Sequence, residues 1–249
     1  MTRPITHVET NAQLRTLVRQ AISEHGPGVN LNHLDVSGVK HFDNVFKELS
    51  FSGDVSKWNM AQAVSICNMF QDCELSADLS AWRFENLINI RGAFKDTTFS
   101  NLVYLGAWNT STVVDFSNAF ERTVPNQALG LHNWDTRSGV LFDQCFDHAL
   151  VLDDISHWNT GSAQSWSRMF YQAKFKNPNL DLSGWDAGEV RDFHKMFQRS
   201  NFQGNISSWM THKALDLRGM FWDCPFHGDL SIWTIRTDQI ENMLDPLHF

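Results

Sequence analysis

The chain has 249 residues, 42% hydrophobic and 19% charged, with a formal net charge of -8. That length supports one sizeable core, and an acidic domain repels phosphate, which argues against a nucleic-acid partner and for a basic one. No apolar run is long enough to span a membrane, and the four cysteines form no Cys-x-x-Cys pair that would suggest a metal site.

The opening MTRPITHVET has no apolar h-region and no cleavage site, so a cytoplasmic location is expected. Residues 11 to 25 then read as a helix within an N-terminal cap, 1–29. Asn11 is placed as its N-cap, Leu14, Leu17, Val18, Ala21 and Ile22 form one apolar stripe, and Gly26-Pro27-Gly28 stops it.

From residue 30 to residue 237 the chain repeats itself. Trp58, Trp82, Trp108, Trp134, Trp158, Trp185, Trp209 and Trp233 recur at steps of 24, 26, 26, 24, 27, 24 and 24. Three residues before each stands an aliphatic: Val55, Leu79, Leu105, Leu131, Ile155, Leu182, Ile206 and Leu230. Twelve residues after it stands Phe70, Phe94, Phe120, Phe146, Phe170, Phe197 or Phe221, until Asp245 breaks the column. A degenerate opening unit, with Leu34 and Phe46 in these places, brings the count to nine. A fixed period in the twenties predicts stacked units, none able to bury its own apolar face.

Within a unit, the aliphatic, the Trp and the residue two beyond it predict a short strand of inward side chains. The apolar residues five, eight, eleven and twelve after the Trp, such as Ala63, Ile66, Met69 and Phe70, predict about two helical turns. The expected fold class is an α/β solenoid of leucine-rich-repeat-like strand-helix units, 24–27 residues each, with helical caps at both ends. Residues 238–249, with Ile240, Met243, Leu244 and Leu247 at helical spacing, are the expected C-terminal cap.

The runs FSGDVSKWNM, LDDISHWNT, LDLSGWDAGEV and FHGDLSIW, with the MF pairs of CNMF, SRMF, HKMF and RGMF, resemble the bacterial BspA-type leucine-rich repeat over residues 30 to 245. The resemblance implies a right-handed solenoid and a protein-binding role. Two units depart from it, with Tyr104-Leu105-Gly106 and Leu131-His132-Asn133 in place of the usual Gly-Asp-aliphatic-Ser run.

Longer steps put extra residues in the loops 95–107, 121–133 and 171–184, which in repeat proteins often form the binding face or record simple length drift. Cys73 and Cys224 share a repeat position six units apart, too far to bridge, so the thiols are expected to be free. The eleven histidines fall in no H-E-x-x-H, nucleophile elbow or phosphate loop, so no enzyme, cofactor or metal site is expected.

Candidate partner-binding residues are the outward positions that break the repeat. The residue after the Trp is usually Asn or Asp, as at Asp135, but is Arg83 in one unit and Met210 in another. Glu85, Arg137, His157, His212 and Ile232 flank the same strip, and Tyr104 belongs to a departing unit. Tyr171 and Trp222 are aromatic in an otherwise polar column after the Phe, which marks hot-spot or cap-covering residues. These features suggest a cytoplasmic immunity protein, without chemistry of its own, that occludes a basic nuclease-type toxin domain in a 1:1 complex. The alternatives are a surface or secreted adhesion or effector module binding a host protein, and a regulatory adaptor.

Overall fold

The computed structural model describes residues 4–99, 103–235 and 243. Helix α1 spans Asn11–His25 and ends at Gly26, whose φ of 81° suits glycine and whose N–H bonds the Ile22 carbonyl. Its N-cap is Thr10, whose side chain accepts from the Gln13 N–H, one residue before the expected Asn11. Asn11 instead donates its amide to the carbonyls of His41 and Asp43, and Arg19 donates to that of Lys47. The helix thereby satisfies backbone acceptors on the open side of the first unit. The expected C-terminal cap lies outside the described residues except for Met243, which is helical and buried.

Units lie parallel and in register. Strand β1 (Thr6–His7) pairs with β2 (Leu34–Asp35), β3 (Ser50–Phe51) with β4 (Glu74–Leu75) and β4 with β5 (Thr98–Phe99), and β6 (Leu150–Val151) with β7 (Lys174–Phe175). The pairing is interrupted between β5 and β6. There Pro125 stands where Phe51, Leu75 and Phe99 stand in earlier units, and proline has no N–H for a ladder. A second ladder of parallel bridges joins His41, Ser65, Asn89, Asp115, Leu141, Ser165, Asp192 and Asp216. Strand geometry thus sits at two places in the repeat, seven residues after each Trp from Trp58 to Trp209 and four to five residues after the Phe in several units, and not, as expected, at the Trp itself.

The three-residue spacing has a different cause. In all eight Trp units the Trp N–H bonds the carbonyl of the aliphatic three residues before it, at 3.0 to 3.2 Å. Aliphatic-x-x-Trp is a turn. Each indole Nε1 from Trp58 to Trp209 then donates to a carbonyl of the preceding unit, at 2.8 to 3.3 Å. The acceptors are Leu31, Val55, Leu79, Leu105, Leu131, Ile155 and Leu182, the turn-opening residues, so one indole ties two units. This is a reason for Trp in place of Leu: the indole buries a large apolar area and brings its own donor, which Leu lacks.

The helical turns are also corrected: among the described residues no repeat contains an α-helix. Residues at ten and fourteen after the Trp have positive φ, for example Asn68 (51°) and Asp72 (53°), Asn118 (58°) and Arg122 (56°), and Arg168 (54°) and Gln172 (54°). Left-handed residues recurring every four positions cannot propagate a right-handed helix. The segment is a row of turns whose N–H groups alternate in direction. Met69 and Gln71 bond three residues back, to Ile66 and Asn68, while Ile66, Asn68, Phe70 and Asp72 bond forward to Asn89, Arg91, Ala93 and Lys95 of the next unit. Apolar spacing of three, repeated through successive turns, mimics the 3.6-residue period.

The core is two aromatic columns. Eight Trp rings stack in seven steps of 6.0 to 6.5 Å with planes within 17°. Phe46 to Phe221 stack in seven steps of 5.3 to 5.8 Å with planes within 13°. Offset stacking of this kind adds about 0.5–1.5 kcal/mol per pair beyond area burial.

Candidate functional site

Short polar side chains hold the surface loops, and they account for much of the outward Asp and Asn. Asp54, Asp78, Asp154, Asp181 and Asp229 each accept the N–H of the Ser two residues on, which is the physical content of the Gly-Asp-x-Ser motif. Those bonds hold the carboxyls of Asp54, Asp154, Asp181 and Asp229 below the usual aspartate range. The Asn or Asp after the Trp does the same: Asn59, Asn109, Asp135, Asn159 and Asp186 accept from the N–H two residues on.

The two departing units have a local solution of their own. Leu131–Asn133 forms a 3-10 turn whose N-terminal N–H groups, on Leu129, Gly130 and Leu131, donate to the buried Asp153 carboxylate at 2.8, 2.9 and 2.9 Å. Gly130 has φ 87°, and a Cβ there would lie 2.4 Å from the Tyr104 ring. Tyr104 lies against that glycine, and its hydroxyl accepts from Asn133 at 2.8 Å.

This geometry gives several of the expected binding residues partners within the chain. Tyr104 packs on the Gly130 turn and holds Asn133, which is a structural role. Asp135 and Arg137 are paired with each other at 2.5 Å. Arg83 donates to the carbonyls of Ser80 and Trp82. Tyr171 is half-buried beneath the Arg168 guanidinium at 4.2 Å and edge-on to His148, and Arg168 is itself bonded to the buried Asp147 at 3.0 and 2.9 Å. Trp222 is likewise half-buried, with Arg199 over its ring at 4.6 Å. Each of the two aromatics is therefore covered by an arginine of the same chain. Glu85, His157 and His212 are exposed, as are Met210 at 63% and Ile232 at 58%, near the C-terminal end.

A surface that the residue pattern did not single out is the groove along the second ladder. Its floor is Val64, Ile88 and Val114, in the column six residues after the Trp, which Val140 continues into the next unit. Their backbones are bonded in series, Val64 N–H to Lys40, Ile88 to Val64, Val114 to Ile88 and Val140 to Val114, at 2.7 to 2.9 Å. The groove holds about 600 Å3, with Gln62, Asn86, Thr112 and Ser138 along one wall and Lys40 at one end. Ile88 is 46% exposed, and the other three are half-buried. The column was readable in phase with the Trp, but it lies outside the positions beside the Trp and the Phe from which the candidates came.

Beside the groove, the N–H nine residues after the Trp needs an acceptor and finds one by two routes. Asn89, Asp115, Asp192 and Asp216 accept it within their own unit. Where that position is Ser65 or Ser165, the acceptor is Asp43 or Asp143 of the preceding unit, which also bonds the serine hydroxyl. Burial pushes the Asp143 carboxyl above its ordinary range, against the bonds from Ser165 and Ser167, and the neighbouring Asp192 and Asp115 add to the rise.

The cysteines are free, and burial pushes the Cys73 thiol up to about 12 and the Cys67, Cys145 and Cys224 thiols upward as well. A raised thiol is a poor nucleophile at neutral pH. Among the described residues, no group of three or more His, Cys, Asp or Glu side chains could hold a metal ion, and no helix is long and apolar enough to cross a membrane.

A family model described as "Mycoplasma protein of unknown function, DUF285" matches three overlapping segments, residues 16–103, 91–198 and 174–247. The chain belongs to this family. The three matches to one model are the same periodicity seen in the Trp column, and they carry the DUF285 pattern from α1 to beyond Trp233. No curated protein and no solved structure matches the chain.

Proposed function

We propose that this DUF285 chain is a right-handed, leucine-rich-repeat-like solenoid that acts by binding another protein and has no chemistry of its own. The observation that carries the reading is the groove over Val64, Ile88 and Val114: these aliphatics are partly open to solvent on a ladder whose backbone groups are already paired. β-Branched residues suit strands, but the same column accepts Lys40, Gln164 and Arg191, so strand geometry does not require apolar side chains there.

The net charge of -8 favours a basic partner through steering and complementarity. The specific form of the proposal is a cytoplasmic immunity protein that covers the active site of a basic nuclease-type toxin domain. The test is a titration into a purified cationic nuclease-type toxin domain, with nuclease activity as the readout. Loss of activity complete at one equivalent is the expected result. Undiminished activity at a tenfold excess would remove the inhibitor reading.

A further inference from the structure

The walls of the groove differ in chemistry, and together they describe an occupant. The floor is aliphatic: Val64, Ile88 and Val114. One wall carries Gln62, Asn86, Thr112 and Ser138. Asn86 donates one N–H to the Ala61 carbonyl at 3.1 Å, Thr112 donates to Leu87 at 2.8 Å and Ser138 to Ser111 at 2.6 Å. What the wall offers outward is the Gln62 and Asn86 amides, with both donors and acceptors, and the lone pairs of two hydroxyls. At the end formed by the first unit stands Lys40, exposed and forming no ion pair within 4.0 Å among the described residues. Among those residues it is the one charged side chain lining the groove.

An aliphatic floor, a wall of donors and acceptors and a terminal cation match the C-terminal end of an extended polypeptide. Its alternate aliphatic side chains face the floor, its main-chain N–H and C=O groups face the wall, and its terminal carboxylate meets Lys40. A fatty acid would use the floor and the lysine but bring no donor or acceptor to the wall along its chain. Units in a parallel ladder are about 4.8 Å apart, so the four steps from Lys40 to Ser138 cover roughly 19 Å, the length of about six extended residues.

We infer that this groove is a docking site for an extended peptide C-terminus with aliphatic side chains at alternate positions, its carboxylate held by Lys40. The inference rests on the protein-binding reading but not on the identity of a toxin.

The test uses the full chain and a fluorescent hexapeptide library, aliphatic at alternate positions, made as free acids and as C-terminal amides. Anisotropy should show the acids binding at least tenfold tighter than the amides. Lys40→Ala should erase that difference, and Ile88→Asp should abolish binding of both while leaving the melting curve unchanged, since Ile88 is partly exposed. Equal binding of acids and amides to the wild-type chain, binding that survives Ile88→Asp, or no binding at all would overturn the proposal. So would a saturated fatty acid that occupies the groove when the peptides do not. If the acids bind as expected while the nuclease domain is not inhibited, the docking site stands and the inhibitor reading falls.

Discussion

Trp158, in the middle of the stack, and Trp233, in the last described unit, occupy the same place in the repeat and have different surroundings. Both close a turn onto the aliphatic three residues before, and both stack on the preceding Trp, at 6.5 Å for Trp158 and 6.0 Å for Trp233. Trp158 also donates its indole N–H to the Leu131 carbonyl at 2.9 Å, and in the same unit Thr160 donates to the Asp186 carbonyl. Among the described residues the buried indole nitrogen of Trp233 has no partner, and neither has the hydroxyl of Thr211, which holds the place of Thr160 in the unit before. Ring stacking therefore tolerates a shift between units that the hydrogen bonds do not. Apolar contact is non-directional, whereas an indole N–H needs its acceptor within a few tenths of an ångström.

The comparison is broken most severely by removing the central ring. Trp158→Ala should cost about 3–5 kcal/mol in urea unfolding, because a large ring leaves a cavity between two stacked neighbours. A loss below about 1 kcal/mol would contradict an aromatic column that holds the units together.

Asp153→Ala tests whether a polar clamp can matter nearly as much as a ring. Three buried N–H groups would lose their acceptor, and a cost of about 2–3 kcal/mol is expected from the same measurement. An unchanged melt would show that the 3-10 turn at Leu131–Asn133 does not need the carboxylate.

Trp158→Phe set beside Trp233→Phe isolates the indole bond. Both lose ring area, but only the first loses a satisfied donor, so its cost should exceed the second by about 1 kcal/mol. Equal costs would mean that the indole bonds contribute nothing net.

The smallest effect is a pH slope. The folded-state pKa of Asp143 is raised, so the folded chain holds that proton more tightly than the unfolded chain. Its contribution is favourable below the ordinary aspartate pKa and is lost as pH rises from there through the raised value. Asp54, Asp154, Asp181 and Asp229 act in the opposite sense, losing stability as pH falls through their depressed values. The difference between wild type and Asp143→Asn separates the two: the variant should lack the decline over the Asp143 window. Parallel stability-pH curves would show that Asp143 does not titrate abnormally.

The residue pattern carried the period, the Trp and Phe columns and the position of α1, because burial imposes those on the identity of each residue. It misplaced the strand and invented a helix. Val55, Trp58, Ala63, Ile66 and Met69 are spaced as turns demand, and a run of turns and a helix share the i, i+3 contact. The deciding signal was the pair of left-handed residues per unit, and at most of those positions it is filled by Asn, Asp, Gln, Arg, His or Lys in place of glycine. Val64, Ile88 and Val114 were passed over for another reason: the outward positions weighed were those beside the Trp and the Phe, not the column six residues after the Trp. The surroundings of Tyr171 and Trp222 were not legible either: their covering arginines are Arg168, three residues earlier, and Arg199, one unit earlier, and neither pairing is written in the aromatic residue itself.

What the sequence determined by itself was that identical faces must stack at an interval of 24 to 27 residues, since an apolar set this regular can be buried only against its own copies. What the tertiary structure decided was which backbone groups pair between copies. Side-chain type reports burial directly, but a main-chain N–H looks the same whether it bonds three residues back or across to the next unit. Only the stack, by presenting or withholding a carbonyl, makes that choice.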